Sequence, residues 1–384
     1  MPWRIKGTMD LKIQMIADWR SDNLNVTELS KKYRISRPTV YKWVERYEEQ
    51  GIDGLKDQKR IPNNSPNQIT AEMVELIVQE KLKNRHRGPK KIWHQLKRQN
   101  PDLKLPVPST IGEWLKKRGL VEKRKKRLRV PPYTRPFERC ERANSVWSID
   151  YKGQFYTKDG RVCYPLTISD NYSRYLLECH GLPGPRYLET KAVLEKVFKE
   201  YGLPDAIRSD NGVPFAGKSI GGLSNLSMWF VQLGIIPERI DKGCPAQNGR
   251  HERMHRTLKA ETACPSSINM KEQQERFDIF RMDYNNYRPH ESLGQDVPSN
   301  YYQRSNRPYV EKTVTPNYDF DHTVRYVRSN GEIKFNGHFH YLAQLLAGQH
   351  VGLKEVADGQ WQIYYSFLPL GILDLRKNLI IRHK

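Results

Sequence analysis

Three carboxylates stand where rigid elements would bring oxygens to one point: Asp150 inside a strand-like run, Asp210 at the end of another, and Glu252 on a helix-like run. Carboxylates so placed hold divalent metal ions, and a metal site flanked by cations is suited to phosphodiester chemistry. Glu252 has such cations. At 100° per residue, Arg256 lies about 40° and Lys259 about 20° from it around a helix, whereas Met254 and Leu258 face the other way. One face would carry a metal ligand and two phosphate-binding groups, the other the core. Taken alone, Glu252 and Arg256 are also an ordinary i, i+4 surface pair. A competing pattern overlaps them: His251-Glu252-Arg253-Met254-His255 is a literal H-E-x-x-H, the zinc-protease signature, with Glu275 as a conceivable third ligand. Charged Arg253 and Arg256 sit badly with that signature's usual apolar surroundings, and it leaves Asp150 and Asp210 without a role. His251 is expected to pack near Leu258 and His255 to face nucleic acid.

The elements that must position these groups follow from periodicity. Residues 146–155 read as a strand with Asp150 at its centre, and 162–169 and 172–180 flank the turn signal Asp170-Asn171 as a hairpin. Residues 188–201 read as a helix, 205–209 as a short strand ending at Asp210, and 246–262 as the helix bearing Glu252. Between them, Leu226, Phe230 and Leu233 mark a helix and Ile235-Ile236 a strand. Mixed strands followed by helices predict an α/β or α+β domain over 139–305.

Ahead of it, residues 9–48 read as helix, helix, turn, helix, with Ser36 as N-cap and Pro38 in the first turn of the third. This spacing fits a helix-turn-helix exposing Arg37, Thr39, Tyr41 and Lys42 to DNA; a plain three-helix bundle is the alternative. A second set, 70–84, 88–99 and a helix from 110 to 118 capped by Ser109, repeats the arrangement. Residues 116–129 then hold nine Lys or Arg against Glu122 alone. Within this run Lys123, Arg124, Lys125, Lys126 and Arg127 are expected to track phosphates, although such runs are also common as solvated linkers. From 306 to 384, Asn330-Gly331, Asn336-Gly337 and Asp358-Gly359 are hairpin signals between strand-like runs, and predict a small five-stranded β-barrel. The expected division is therefore 1–60, 61–120, a basic linker 121–138, 139–305 and 306–384.

Composition narrows the partners. The 384 residues carry 65 Lys or Arg against 43 Asp or Glu, a net charge of +22, which attracts polyanions. Nucleic acid leads, with an anionic membrane surface second. No apolar run approaches the length of a membrane span, and residues 1–10 show no secretory signal, so a cytoplasmic protein is expected. The five cysteines are widely spaced and odd in number, which argues against a disulfide framework or a zinc ribbon.

Four blocks carry a resemblance. Trp147-Ser148-Ile149-Asp150-Tyr151, Asp210-Asn211-Gly212-Val213-Pro214-Phe215 and the run from Gln247 through Asn248 and Glu252 to Lys259 resemble the three blocks of the retroviral-integrase-type DDE core. The run from Tyr284-Asn285-Asn286-Tyr287-Arg288-Pro289-His290 to Gly294 resembles the segment that ends this core in bacterial insertion-sequence transposases. The resemblance covers most of 146–302 and implies a ribonuclease-H-like fold, Asp150, Asp210 and Glu252 as catalytic metal ligands, and two Mg²⁺ or Mn²⁺ ions per site. It also implies Lys259 at the DNA end, and places Asn248, His255 and Arg256 among the DNA-facing residues. Double-stranded DNA, both transposon end and target, is the implied partner, with a homo-oligomer to join two ends and a location on the nucleoid. The interval between Asp210 and Glu252 is longer than in the resembling cores, which the Gly-rich stretch 217–227 accommodates. A DNA-binding regulator using only the helix-turn-helix units is the non-enzymatic alternative, although DNA binding alone has no need of three carboxylates.

Overall fold

The computed structural model describes residues 7–21, 24–57, 69–121, 140–217, 219–241, 249–311 and 316–382. They fall into two compact units, Met1–Ile69 and Thr70–Lys384.

The first unit holds three helices, α1 (Thr8–Arg20), α2 (Val26–Tyr33) and α3 (Arg37–Gln50), closed by a 3-10 turn at Gly51–Leu55. Asn25 starts α2 with a reciprocal cap: its side chain accepts from Glu28 N (3.0 Å) and Glu28 Oε2 accepts from Asn25 N (2.8 Å). Arg34, in the left-handed region (φ 52°), ends α2 so that α3 begins after Ser36. Ser36 occupies the expected N-cap, but its hydroxyl meets Thr39 Oγ1 at 2.8 Å and not a backbone amide. Met15, Ile16, Leu29, Val40, Trp43, Val44 and Leu55 form the core. A side chain at Gly54 would strike Arg46 O, so the chain passes α3 there only as glycine.

The second unit opens with α4 (Ala71–Lys83), α5 (Pro89–Gln99) and α6 (Pro108–Lys117), packed on Ile77, Ile92, Leu96, Ile111 and Leu115. Thr70 caps α4, accepting from Met73 N. The expected cap Ser109 lies inside α6 instead, because Pro108 takes the first helical position and Val107 becomes the N-cap. Arg87, buried between α4 and α5, reaches both carboxylate oxygens of Asp283 at 2.6 Å and so ties this bundle to the core that follows.

That core is a sheet between two helix layers. Its strands are β1 (Val146–Tyr151), β2 (Phe155–Tyr156), β3 (Val162–Asp170), β4 (Leu176–Leu182), β5 (Ala206–Ser209) and β6 (Ile236–Arg239). β3 pairs antiparallel with β1, β2 and β4, while β1, β5 and β6 run parallel. Strand alternation separates two faces. Trp147, Ile149, Leu166 and Ile168 point into a core with α7 (Tyr187–Tyr201) and α8 (Asn225–Gln232). Cys163, Leu176 and Cys179 pack on the opposite face against α9 (Gly249–Leu258) and α10 (Met270–Asn286). Each fully buried Leu, Ile or Phe contributes roughly 1.5–3 kcal/mol. Two such layers readily carry the cost of crowded charge at the strand ends.

The C-terminal strands do not close the expected barrel. β7 (Thr323–Tyr326), β10 (His350–Ala357), β11 (Gln360–Tyr365), β12 (Leu368–Asp374) and β13 (Leu379–Arg382) form an open antiparallel sheet in the order β13-β12-β11-β10-β7. β8 (Glu332–Phe335) and β9 (His338–Tyr341) form a separate hairpin. The apolar face needs no closure because it is covered from outside the sheet. Ile333 and Phe335 of the hairpin, and Ile220, Leu223 and Val231 of the core, pack with Leu353, Ile363 and Leu373. No helix among the described residues is long and apolar enough to cross a membrane.

Candidate active site

The pairing of β1 with β5 runs Val146 to Ala206, Trp147 to Ile207 and Ser148 to Arg208. Continued by two residues, the same register sets Asp150 beside Asp210, on adjacent strands about 4.8 Å apart. Asp210 leaves β5 into a turn in which its Oδ1 accepts from Gly212 N at 3.0 Å. A Cβ at Gly212 would come within 3.0 Å of Asp210 Oδ2, so glycine leaves the carboxylate room. The Asn211 amide donates to Ile240 O at 2.8 Å, tying that turn to the segment after β6.

Parity decides what Asp150 faces. Val146, Ser148 and Asp150 share the face of β1 that looks toward α9 and α10. On α9, His251, Met254, His255 and Leu258 are buried, while Glu252, Arg253 and Arg256 are exposed. Burial first, and then the Asp210 charge, drive the Asp150 carboxyl from 3.8 up to about 7. A backbone hydrogen bond at Tyr151 and the Lys152 charge pull the other way, and Glu252 adds a smaller upward push. The three carboxylates thus share one electrostatic neighbourhood that a cation would relieve. They do not draw three oxygens within 4.8 Å of one another.

The two histidines are turned inward. Thr167 Oγ1, on β3 directly opposite Asp150, lies 2.6 Å from His251 Nε2 and 2.6 Å from His255 Nε2. It also donates to Asp150 O at 3.1 Å, and Ser169 Oγ meets His251 Nδ1 at 3.0 Å. One consistent set of protons has both Nε2–H groups donating to Thr167 and Ser169 donating to His251. Burial pushes His251 down to about 3 and His255 lower still, so both rings are neutral. The point where both rings converge is therefore occupied by a hydroxyl, which overturns the H-E-x-x-H zinc reading. His255, expected to face DNA, is instead buried, its Nδ1 3.8 Å from Asp150 Oδ2.

Of the other expected DNA contacts, Arg256 is exposed on the Glu252 side of α9. Lys259 is exposed too, at the start of a π turn (Lys259–Ala263) that interrupts the ideal helical spacing assumed for it. In the first unit, Arg37, Tyr41 and Lys42 are exposed on α3 and Thr39 is half-buried. Asn248 and the run Lys123, Arg124, Lys125, Lys126 and Arg127 lie outside the described residues. Sequence reasoning missed Thr167 and Ser169: their alternation along β3 was visible, but nothing in it points to α9. Among the described residues, Asp319, Asp321 and His322 form a tighter cluster, but Asp321 is already engaged by His322 at 2.7 Å and Lys354 at 2.6 Å.

Solved integrases resemble the chain weakly. The HTLV-2 integrase catalytic core domain in complex with magnesium is 14% identical, with a TM-score of 0.34 over 42% of this chain and 99% of that one. A simian T-cell lymphotropic virus intasome structure matches 77% of this chain and 97% of that one, at 14% identity and a TM-score of 0.38. Family matches are more direct. Residues 11–62 match a helix-turn-helix domain, 39–115 a homeodomain-like domain, and 141–245 and 233–298 the integrase core domain. An uncharacterized 31.7 kDa protein of insertion element IS407 from Burkholderia multivorans is 27% identical over 164 residues, covering 41% of this chain and 55% of the relative. An uncharacterized 39.2 kDa protein of IS476 from Xanthomonas euvesicatoria is 26% identical over 188 residues, 47% of this chain and 51% of the relative. The chain thus spans about half the length of these relatives. Family matches and insertion-element relatives agree: the chain carries helix-turn-helix segments followed by an integrase core domain, and it is similar to proteins encoded by insertion elements.

Proposed function

We propose that the protein is a DDE polynucleotidyl transferase that cleaves DNA at the ends of a mobile element and joins the freed 3′ ends to target DNA. The observation that carries this reading is Asp150, raised to about 7 by burial and by Asp210, with Glu252 adding to the push. Carboxylates crowded this way fit hard divalent cations, Mg²⁺ or Mn²⁺. Asp150 would be shared between two ions, with Asp210 and Glu252 each completing one. Such ions, when bound, activate the attacking oxygen and stabilise the departing one.

In the first step a water oxygen attacks phosphorus, the P–O3′ bond breaks, and the leaving oxygen takes a proton to become a 3′-OH. In the second, that 3′-OH attacks a target phosphodiester and the target's own 3′ oxygen leaves. The number of P–O bonds is conserved, so neither ATP nor a covalent protein intermediate is needed. Thr167 and the histidine pair hold α9 on β3, and so fix Glu252 relative to Asp150. Arg256 and Lys259 would take DNA phosphates beside the carboxylates. In this reading, 1–60 and 61–120 bind element ends, 121–138 tracks the backbone, 139–305 is the catalytic core and 306–384 a β-sheet domain. Two ends require at least a dimer on DNA, and the protein would work in the cytoplasm on the nucleoid.

The test is incubation with duplexes carrying the element's termini and Mg²⁺ or Mn²⁺. Cleaved ends and joined products are expected, and chelation should abolish both. Tight end binding with neither product, in either metal, would favour the non-catalytic regulator.

A further inference from the structure

The hairpin of β8 and β9 stands apart from the five-stranded sheet, and its two faces differ. Asn336 (φ 46°) and Gly337 (φ 82°) make the two-residue turn, so the strands pair Lys334 with Phe339, Ile333 with His340 and Glu332 with Tyr341. Alternation then sorts the side chains. Ile333, Phe335 and His340 are buried on the inner face, with the ring centres of Phe335 and Trp361 4.9 Å apart. Lys334, Phe339 and Tyr341 lie on the outer face, where Phe339 is 49% exposed and Tyr341 54%. Single exposed aromatics are ordinary on a protein surface. Two on one strand face, each half in water, forgo apolar burial that a partner would supply.

What surrounds the rings says which partner. The Arg328 guanidinium lies 4.8 Å from the centre of the Phe339 ring, and the Lys334 ammonium 6.0 Å from it. Both cations are exposed, and among the described residues no carboxylate pairs with either. Glu332, across from Tyr341, accepts from Asn330 Nδ2 at 2.7 Å, so positive charge gathers on the Phe339 side. A polyanion is therefore favoured over an apolar protein surface. Duplex DNA is the wrong form of it, because its bases show only their edges in the grooves while stacking covers their faces. An unpaired strand offers faces. Rings two residues apart on a strand stand about 7 Å from each other, a step that neighbouring nucleotides of an unstacked strand can span. Stacking of this kind needs a π-face and not a particular base.

We propose that the outer face of this hairpin is a stacking platform for an unpaired DNA strand, with successive bases on Phe339 and Tyr341 and the adjoining phosphates at Arg328 and Lys334. The proposal rests on the reading that the protein acts on DNA. The test follows binding of the full chain by fluorescence anisotropy to two labelled probes, a short oligothymidylate and a blunt duplex. Phe339→Ala and Tyr341→Ala should each weaken oligothymidylate binding by about tenfold, the scale of one base–aromatic stack, and leave duplex binding nearly unchanged. Phe339→Trp with Tyr341→Phe keeps both rings and should keep the affinity. Arg328→Gln with Lys334→Gln should lower the salt slope on oligothymidylate by about 1.4, the value of two single-strand phosphate contacts, whereas the ring substitutions should not move it. Irradiating the natural chain with iodouracil in the oligonucleotide should place the covalent adduct on Phe339 or Tyr341 by mass spectrometry, which decides the matter even if an Ala variant fails to fold. Equal weakening on both probes by a folded Ala variant, affinity unmoved by either Ala substitution, or adducts confined to other segments would each overturn the proposal while leaving DNA action intact. So would sedimentation showing that the Ala variants break a self-association of the DNA-free chain, which would assign the face to a second copy. A chain that binds neither probe would contradict the underlying reading itself.

Discussion

Replacing Asp150 with Asn in metal-free protein should stabilise the fold, and increasingly so as pH rises. The Asp150 carboxyl is held at about 7 in the folded chain against an ordinary 3.8, a difference of roughly three pH units, with burial and then Asp210 as the causes. At 1.36 kcal/mol per unit this is a ceiling of about 4 kcal/mol. The sign follows from the folded value being the higher one. Neutral Asp150 is compatible with the fold below pH 4, and that advantage is lost as pH climbs through 7. An uncharged Asn escapes the loss, so its gain over Asp should grow from about 1–2 kcal/mol at pH 5 to about 4 kcal/mol at pH 8. At about 2–4 °C per kcal/mol for a domain of 150–250 residues, the melting temperature should separate by roughly 5–10 °C more at the higher pH. Thermal melts followed by circular dichroism in chelator at both pH values measure this directly. Adding Mg²⁺ should stabilise the natural protein and leave Asp150→Asn unmoved. A gain of equal size at both pH values, or a loss at pH 8, would refute the claim that burial and the neighbouring Asp210 raise this carboxyl.

Thr167→Val removes the hydroxyl that meets both histidines, leaving buried ring nitrogens unsatisfied at about 1–3 kcal/mol each. Strand transfer should fall while end binding persists, and Thr167→Ser should restore it; an inactive Ser variant would argue against the hydroxyl as the positioning group. In a salt titration, Ser at Lys123, Arg124, Lys125, Lys126 and Arg127 together should lower the slope of log affinity against log salt by roughly four to five if all five touch phosphate, with little change in sequence preference. Arg37→Ala or Lys42→Ala in α3 should do the reverse, eroding discrimination between end and random DNA more than the slope.

What the sequence discloses is local, and what it conceals depends on distant pairing. Asp150 on β1, Asp210 at the end of β5 and Glu252 on α9 are legible because strand and helix periods show in the neighbouring apolar residues. That Asp150 and Asp210 adjoin is legible only through the resemblance of their motifs to a known core and not from periodicity, since it needs β1 and β5 to pair in parallel across the β3–β4 hairpin and α7. His251 and His255 were visible as an i, i+4 pair, but their inward turn depends on Thr167 and Ser169, more than 80 residues earlier. Asn336-Gly337 and Asp358-Gly359 do join paired strands, β8 to β9 and β10 to β11. Asn330-Gly331 makes its turn without a hairpin, because β7 pairs with β10. Barrel closure was the least legible feature: it turns on whether edge strands meet, which no local signal encodes.

The central claim is that Asp150, Asp210 and Glu252 act together as metal ligands in DNA strand transfer. It is tested most directly by single-turnover joining of a pre-cut element end to target DNA in Mg²⁺, with Asp150→Asn, Asp210→Asn and Glu252→Gln each compared with the natural chain and end binding measured in parallel. The account predicts that all three lose joining by a factor of at least about 10³, equivalent to roughly 4 kcal/mol of transition-state stabilisation, while binding the end within a few-fold of normal. Joining at a near-normal rate in any one of the three would contradict it.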